Sequence, residues 1–209
     1  MGSPKPDILY RYTSLPVLLD VLQQRHITLL NPSETWEDKN DRYYLDQYRR
    51  KNNLRSVLAI CFAASSETFH HWRVFSSGPS GVRIEFDKER LLNSFAGLEG
   101  FRHQSVEYPY IQHLQKNKPQ LSSWPFLKRY AFRDEKEYRI IFESATEELR
   151  VRSVPIDLAS MRAVTLSPWL PSTVAPAVRT VIGCIDGCNN IKLRDSSLLE
   201  NARWRAAIK

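Results

Sequence analysis

Six of the seven residues in Arg133-Asp134-Glu135-Lys136-Glu137-Tyr138-Arg139 are charged, and the block runs straight into apolar Ile140-Ile141-Phe142. Charge at the mouth of an apolar run limits how the segment can sit in a fold. If it is extended from Glu135, side chains alternate, so Glu135, Glu137, Arg139 and Ile141 share one face and Lys136, Tyr138, Ile140 and Phe142 the other. The second face belongs in a core. The first gathers two carboxylates and a guanidinium at steps of about 7 Å, as a solvated salt-bridge ladder or as the polar floor of a site.

The rest of the chain alternates helix and strand signals. Ser14 is placed to cap a helix over 14–25 whose Leu15, Leu18, Leu19 and Leu22 recur at helical spacing. A strand is expected at Ile27–Leu30 and a polar loop at Asn31–Asp41, with Asp41 capping a charged helix to about Asn52. Val57–Phe62 reads as a central strand buried on both faces. Thr68–Phe75 reads as a short helix, and Gly81-Val82-Arg83-Ile84-Glu85-Phe86 as a strand with one wet face. Further strands are expected at Gln104–Tyr108, 135–143, Leu149–Val154, Arg162–Leu166 and Ile191–Arg194. Helices are expected at Ser122–Ala131 and from Ser172 to about Ile185, with a last turn near Trp204. The element order implies an α+β fold: a single domain with a mixed or mainly antiparallel sheet flanked by helices.

With 209 residues the chain can bury a substantial core, and residues 8–209 are expected to form that single domain. Residues 1–7 are expected to be a disordered or vector-derived N-terminus. Thirty Lys and Arg against 23 Asp and Glu give a net charge of +7, which favours a phosphate-bearing ligand and keeps nucleic acid among the candidate partners. Cys61, Cys184 and Cys188 are an odd set without a disulfide framework, pointing to a reducing, cytoplasmic compartment. No segment has the apolar length of a membrane span. His70-His71 point apart and lack a partner at ligand spacing, so no metal site is expected. The sequence leaves the oligomeric state open.

Several blocks occur in the order seen in a widespread bacterial group, the domain-of-unknown-function family twenty-nine seventy-one. They are Leu9-Tyr10-Arg11-Tyr12, Asn31-Pro32 with Trp36-Glu37-Asp38 to Asn40-Asp41, Trp72 followed by Gly81 to Asp87, Val106-Glu107-Tyr108, and Glu135 to Ile141. The resemblance spans about residues 8–145 and departs in the acidic loop, which lacks the family's usual proline. A weaker likeness is to the ADP-ribosyltransferase plan, an early strand bearing Arg or His and a late strand bearing Glu-x-Glu.

That likeness implies an enzyme using NAD as substrate and modifying nucleic acid or protein, and the bacterial distribution of the family resembled implies a phage-defence or toxin setting. It implies Glu137 as the carboxylate that steadies the oxocarbenium-like ribose and Glu135 as the group that orients or deprotonates the acceptor. Arg11 would grip the pyrophosphate, with Tyr12 or Trp72 stacking on nicotinamide. Two alternatives stand beside it. One is a metal-dependent nuclease using Asp38, Asp41, Glu85 and Glu137. The other is a non-enzymatic nucleic-acid or partner-binding module using Arg49, Arg50, Lys128 and Arg129.

Overall fold

A computed structural model describes residues 7–208, so the expectation for residues 1–6 lies outside the described residues. The chain opens with strand β1 (Ile8–Ser14) and helix α1 (Leu15–Gln24). Ser14 caps α1 as expected, its hydroxyl accepting from the Val17 amide, and Arg25 ends it in the left-handed conformation. After β2 (His26–Leu30), the expected loop contains a one-turn helix, α2 (Pro32–Thr35), capped by Asn31.

Asp38, not Asp41, caps α3 (Lys39–Lys51), accepting from the amides of Asn40 and Asp41. Asp41 instead lies with Leu45 and Tyr48 on the buried stripe of that helix. β3 (Ser56–Ala63) is buried almost throughout, as its unbroken apolar run requires. α4 (Phe69–Phe75), capped by Thr68, then leads to β4 (Gly81–Asp87), α5 (Lys88–Asn93) and β5 (Phe101–Ser105).

After α6 (Ile111–Lys116), the expected helix at 122–131 is replaced by two 3-10 helices, Leu121–Phe126 and Tyr130–Glu135. Pro125 explains the break, since it has no amide to donate and its ring crowds the preceding turn. β6 (Glu137–Ser144), β7 (Val151–Pro155), β8 (Met161–Leu166), α7 (Ala175–Gly183), β9 (Leu193–Asp195) and α8 (Ala202–Ala206) complete the chain.

The fold class is α+β, with a mixed sheet flanked by helices. Contacts gather into two compact units, both discontinuous in sequence. One holds Met1–His26, Ser65–Asn93 and Ile156–Lys209, the other Ile27–Ala64 and Ser94–Pro155. In the first, β1, β4 and β8 are antiparallel neighbours, and β9 joins β8 in parallel. Leu9, Ile84, Phe86 and Val164 are buried on one face of this sheet, and Tyr12, Arg83 and Glu85 on the other.

In the second unit β3 and β5 flank β6 in antiparallel register, and β2 reaches β3 through Leu30 opposite Ala59. β3 presents large Leu58, Ile60 and Phe62 on one face and small Ala59, Cys61 and Ala63 on the other. The small face lies opposite Glu137, Arg139 and Ile141 of β6 and leaves room for long polar side chains.

Gly100 receives β6 by accepting the Glu143 amide at 2.8 Å. Its φ is +79°, and an added Cβ would sit 2.5 Å from the Glu143 carbonyl oxygen. Gly97 has a similar φ of +78° but nothing within 4 Å. Gly100→Ala is therefore expected to lower stability by about 3 kcal/mol and Gly97→Ala by about 1 kcal/mol, measured by urea denaturation. Equal losses at the two positions would contradict this backbone approach.

Candidate functional site

The charged face of β6 is buried. Arg139 has no solvent exposure, and Glu135, Glu137 and Asp41 retain 6%, 6% and 3%. Such burial demands an acceptor for each guanidinium N–H, and all five are supplied. Nε donates to Glu137 Oε1 at 2.7 Å, and Nη2 donates to Glu137 Oε2 at 3.0 Å and Asp41 Oδ2 at 2.7 Å. Nη1 donates to Asp41 Oδ1 at 3.0 Å and to the Pro125 carbonyl at 2.7 Å. The Trp36 ring covers the guanidinium at 4.5 Å.

A second cation closes the cluster. Lys128 Nζ lies 2.6 Å from Glu135, 3.5 Å from Glu137 and 3.8 Å from Asp41, over the Phe132 ring at 4.9 Å. Glu135 does not reach this group by strand alternation. It ends the 3-10 helix, Lys136 turns left-handed at φ 44°, and the strand begins only at Glu137. The Glu137 amide donates to the Tyr108 hydroxyl at 2.8 Å.

Three carboxylates therefore share two cations in a nearly dry space. Burial opposes ionisation of Glu137, but Arg139, Lys128 and a thiol hydrogen bond from Cys61 outweigh it and hold its carboxyl at about 2. For Asp41 and Glu135 burial wins over their cationic neighbours, and both carboxyls are pushed up. Burial also works against the Lys128 charge, yet the surrounding carboxylates raise its ammonium above the ordinary value.

The first unit holds a separate polar cluster on the buried polar face of β1, β4 and β8. Arg83 Nη2 donates to Glu85 at 2.8 Å and Thr165 at 3.1 Å, and Arg194 clamps both Glu85 oxygens at 2.8 and 2.9 Å. The wet face expected for β4 is thus an internal ion-pair layer. Trp72, fully buried, donates from Nε1 to Glu67 at 2.6 Å, and the Tyr12 ring stacks on His71 at 5.4 Å and meets Trp72 edge-on at 5.3 Å. The buried Tyr12 hydroxyl and Arg83 Nε have no hydrogen-bond partner among the described residues.

The structure brings Tyr12 and Trp72 together in one unit and Glu135 and Glu137 together in the other. Arg11 alternates with Tyr12 along β1 and faces the side of Leu9 and Ile84. Lys128 and Trp36 belong to the Glu137 cluster without having been expected there, and Asp41 joins Glu137 through Arg139 rather than as the fellow metal ligand expected of a nuclease. Asp41 had a visible signal, an acid at helical spacing with Leu45 and Tyr48 on an otherwise apolar stripe. Lys128 follows apolar Phe126-Leu127 and is drawn inward by the carboxylates.

Most groups of the two alternatives are engaged elsewhere, Arg129 being exposed. Asp38 caps a helix, Asp41 and Glu137 share Arg139, and Glu85 is clamped by two arginines. Among the described residues no group of three or more His, Cys, Asp or Glu is placed to hold a metal ion. Lys128 is inside the cluster, and Arg49 and Arg50 both pair with Asp46. A cavity of about 330 Å³ over Pro32, Leu45 and Val57 carries Arg49, Arg55 and Arg150 on its wall, and neither Glu135 nor Glu137 lines it.

No protein-family model matches the chain, and no curated protein sequence matches it. Solved structures of DarT from Thermus sp. 2.9 are similar in fold. The complex with NAD+ has a TM-score of 0.48 at 10% identity, covering 93% of this chain and 98% of that one. The complex with ADP-ribosylated single-stranded DNA has 0.48 at 12%, covering 94% and 97%. The complex with carba-NAD+ has 0.46 at 8%, covering 93% and 97%.

Linkage gives the cluster a signed pH dependence. Glu137, ionised down to about 2 against an ordinary 4.5, contributes stability that is complete above 4.5 and lost as pH falls toward 2. Asp41 and Glu135, both pushed up, contribute most below their ordinary values and less as pH rises. Arg139→Met strands the carboxylates and is expected to cost about 3–5 kcal/mol near pH 7. The loss should shrink near pH 4 as the stranded groups take up protons, measured by urea denaturation at both pH values. An equal loss at both would contradict the ion-pair account.

Proposed function

We propose that the chain is an ADP-ribosyltransferase-like enzyme that uses NAD as substrate and modifies nucleic acid or protein. The observation that carries this reading is the placing of two neighbouring carboxylates in unlike surroundings, Glu137 gripped at both oxygens by Arg139 at 2.7 and 3.0 Å and Glu135 held by Lys128 at 2.6 Å, so that the first is held ionised and the second is pushed up. Such divergence divides electrostatic and proton-transfer roles between two otherwise equivalent groups. The setting that the sequence resemblance implies is bacterial defence or toxicity.

In this reaction the bond between nicotinamide and ribose breaks, and nicotinamide departs neutral with the electron pair. Glu137, fixed by Arg139, stabilises the positive charge that develops on the ribose. An acceptor hydroxyl or ring nitrogen then attacks the ribose carbon, and its proton passes to Glu135. Arg11 lies on the opposite face of β1 from Tyr12, so the two are not assigned to one bound NAD.

NAD supplied at about 1 mM should release nicotinamide, measured by chromatography or proton NMR. Glu137→Gln is expected to lower turnover about 100-fold or more, the scale of losing one pre-organised electrostatic contact. Glu135→Gln should keep NAD binding and lose transfer to an acceptor. Thermal melting of each variant separates lost chemistry from lost folding. Neither binding nor turnover of NAD by the folded wild type would overturn the proposal.

A further inference from the structure

The run from Tyr108 to Arg133 contains no Asp or Glu and five Lys or Arg, concentrating positive charge in one segment of the second unit. Its aromatic rings are stacked. Tyr110 and Tyr130 lie 3.9 Å apart between centroids at 25°, the Arg133 guanidinium sits 4.5 Å over Tyr130, and His113 meets Tyr110 edge-on at 5.6 Å. The column does not belong to the core: Tyr110 is 48% exposed, and His113, Arg129 and Arg133 are exposed.

Among the described residues, Lys116, Lys118 and Arg129 are exposed and enter no ion pair. Arg133 has only a loose, exposed contact of 3.9 Å with Asp134. Lys128 is the exception in the run, since its ammonium is consumed by the buried carboxylates. Flat rings with a stacked guanidinium, flanked by exposed cations and with Asp134, among the described residues, as the one carboxylate in ion contact with the column, match what an unpaired nucleotide strand needs. Bases stack on rings, and phosphates meet the cations.

We infer that the Tyr110–Tyr130–Arg133 column, with Lys116, Lys118 and Arg129, is a binding platform for single-stranded nucleic acid. A duplex hides the faces of its bases and offers this column only its phosphates. An acidic peptide engages the cations and leaves the rings without partners. DNA and RNA share the required chemistry, since the platform reads base faces and backbone charge rather than base edges. The turn that carries Tyr130 and Arg133 ends at Glu135, so a strand docked there lies along the same segment as that carboxylate.

The test is fluorescence anisotropy with the full chain and a labelled mixed-sequence oligonucleotide of about 12 nucleotides. Single-stranded DNA, RNA of the same sequence, duplex DNA, heparin and polyglutamate form the arms. At least one single strand should bind well above the other polyanions, DNA against RNA reporting which sugar is preferred. Tyr110→Leu and Tyr130→Leu should each weaken it about ten-fold. Lys116→Ala combined with Arg129→Ala should reduce the salt slope by about 1.4, or about 0.7 per lost phosphate contact, leaving stacking in place.

No binding of either single strand would overturn the inference. So would heparin, polyglutamate or duplex binding as tightly as the single strands, because the surface would then act as a plain polycation. Unchanged affinity in the melt-competent Tyr variants would overturn it as well. Binding is read without NAD, so loss of the transferase reading leaves this result standing.

Discussion

A guanidinium sealed from water must find an acceptor for each N–H, and in this protein that requirement organises the second unit. Arg139 draws in the end of β6 through Glu137, the start of α3 through Asp41, and the first 3-10 helix through the Pro125 carbonyl. Removing any one acceptor leaves a buried donor unsatisfied, so the three elements are tied to one another rather than merely adjacent. The side chains of β3 make this arrangement possible. Cys61 and Ala63 lie opposite Arg139 and Glu137, and Ala59 packs against Trp36, where larger groups would fill the space that Arg139 and Trp36 occupy.

The same packing sets the chemistry. Arg139 and Lys128 cannot neutralise Asp41, Glu135 and Glu137 together, and the shortfall is divided unequally by geometry. Glu137 is held by Arg139, Lys128 and the Cys61 thiol together and stays charged, whereas for Asp41 and Glu135 the cost of burial outweighs their cationic neighbours. A carboxyl held ionised and a neighbour whose carboxyl is pushed up thus arise from one buried cluster.

Local pattern made much of the fold legible in the sequence. Ser14 and Thr68 cap the helices expected after them, and the apolar run at 57–62 is the buried strand it resembles. Glu135, Glu137 and Arg139 also belong to one cluster, as their density of charge suggested. What alternation could not reveal was whether their face met solvent. That depends on α3 and the first 3-10 helix, elements distant in sequence whose contribution to this face is Asp41 and a backbone carbonyl. Extending the strand back to Glu135 failed for a local reason, the left-handed turn at Lys136. The alternating large and small residues of β3 and the acid on the apolar stripe of α3 were the two readable signs of a buried polar group.

The claim that one guanidinium separates two neighbouring carboxyls is most directly tested by carbon-13 NMR titration of the glutamate side chains, with Glu135 and Glu137 assigned by substitution. The account predicts that Glu137 remains ionised until about 2 while Glu135 takes up its proton above the ordinary 4.5. Both carboxyls titrating together near 4.5 would contradict it.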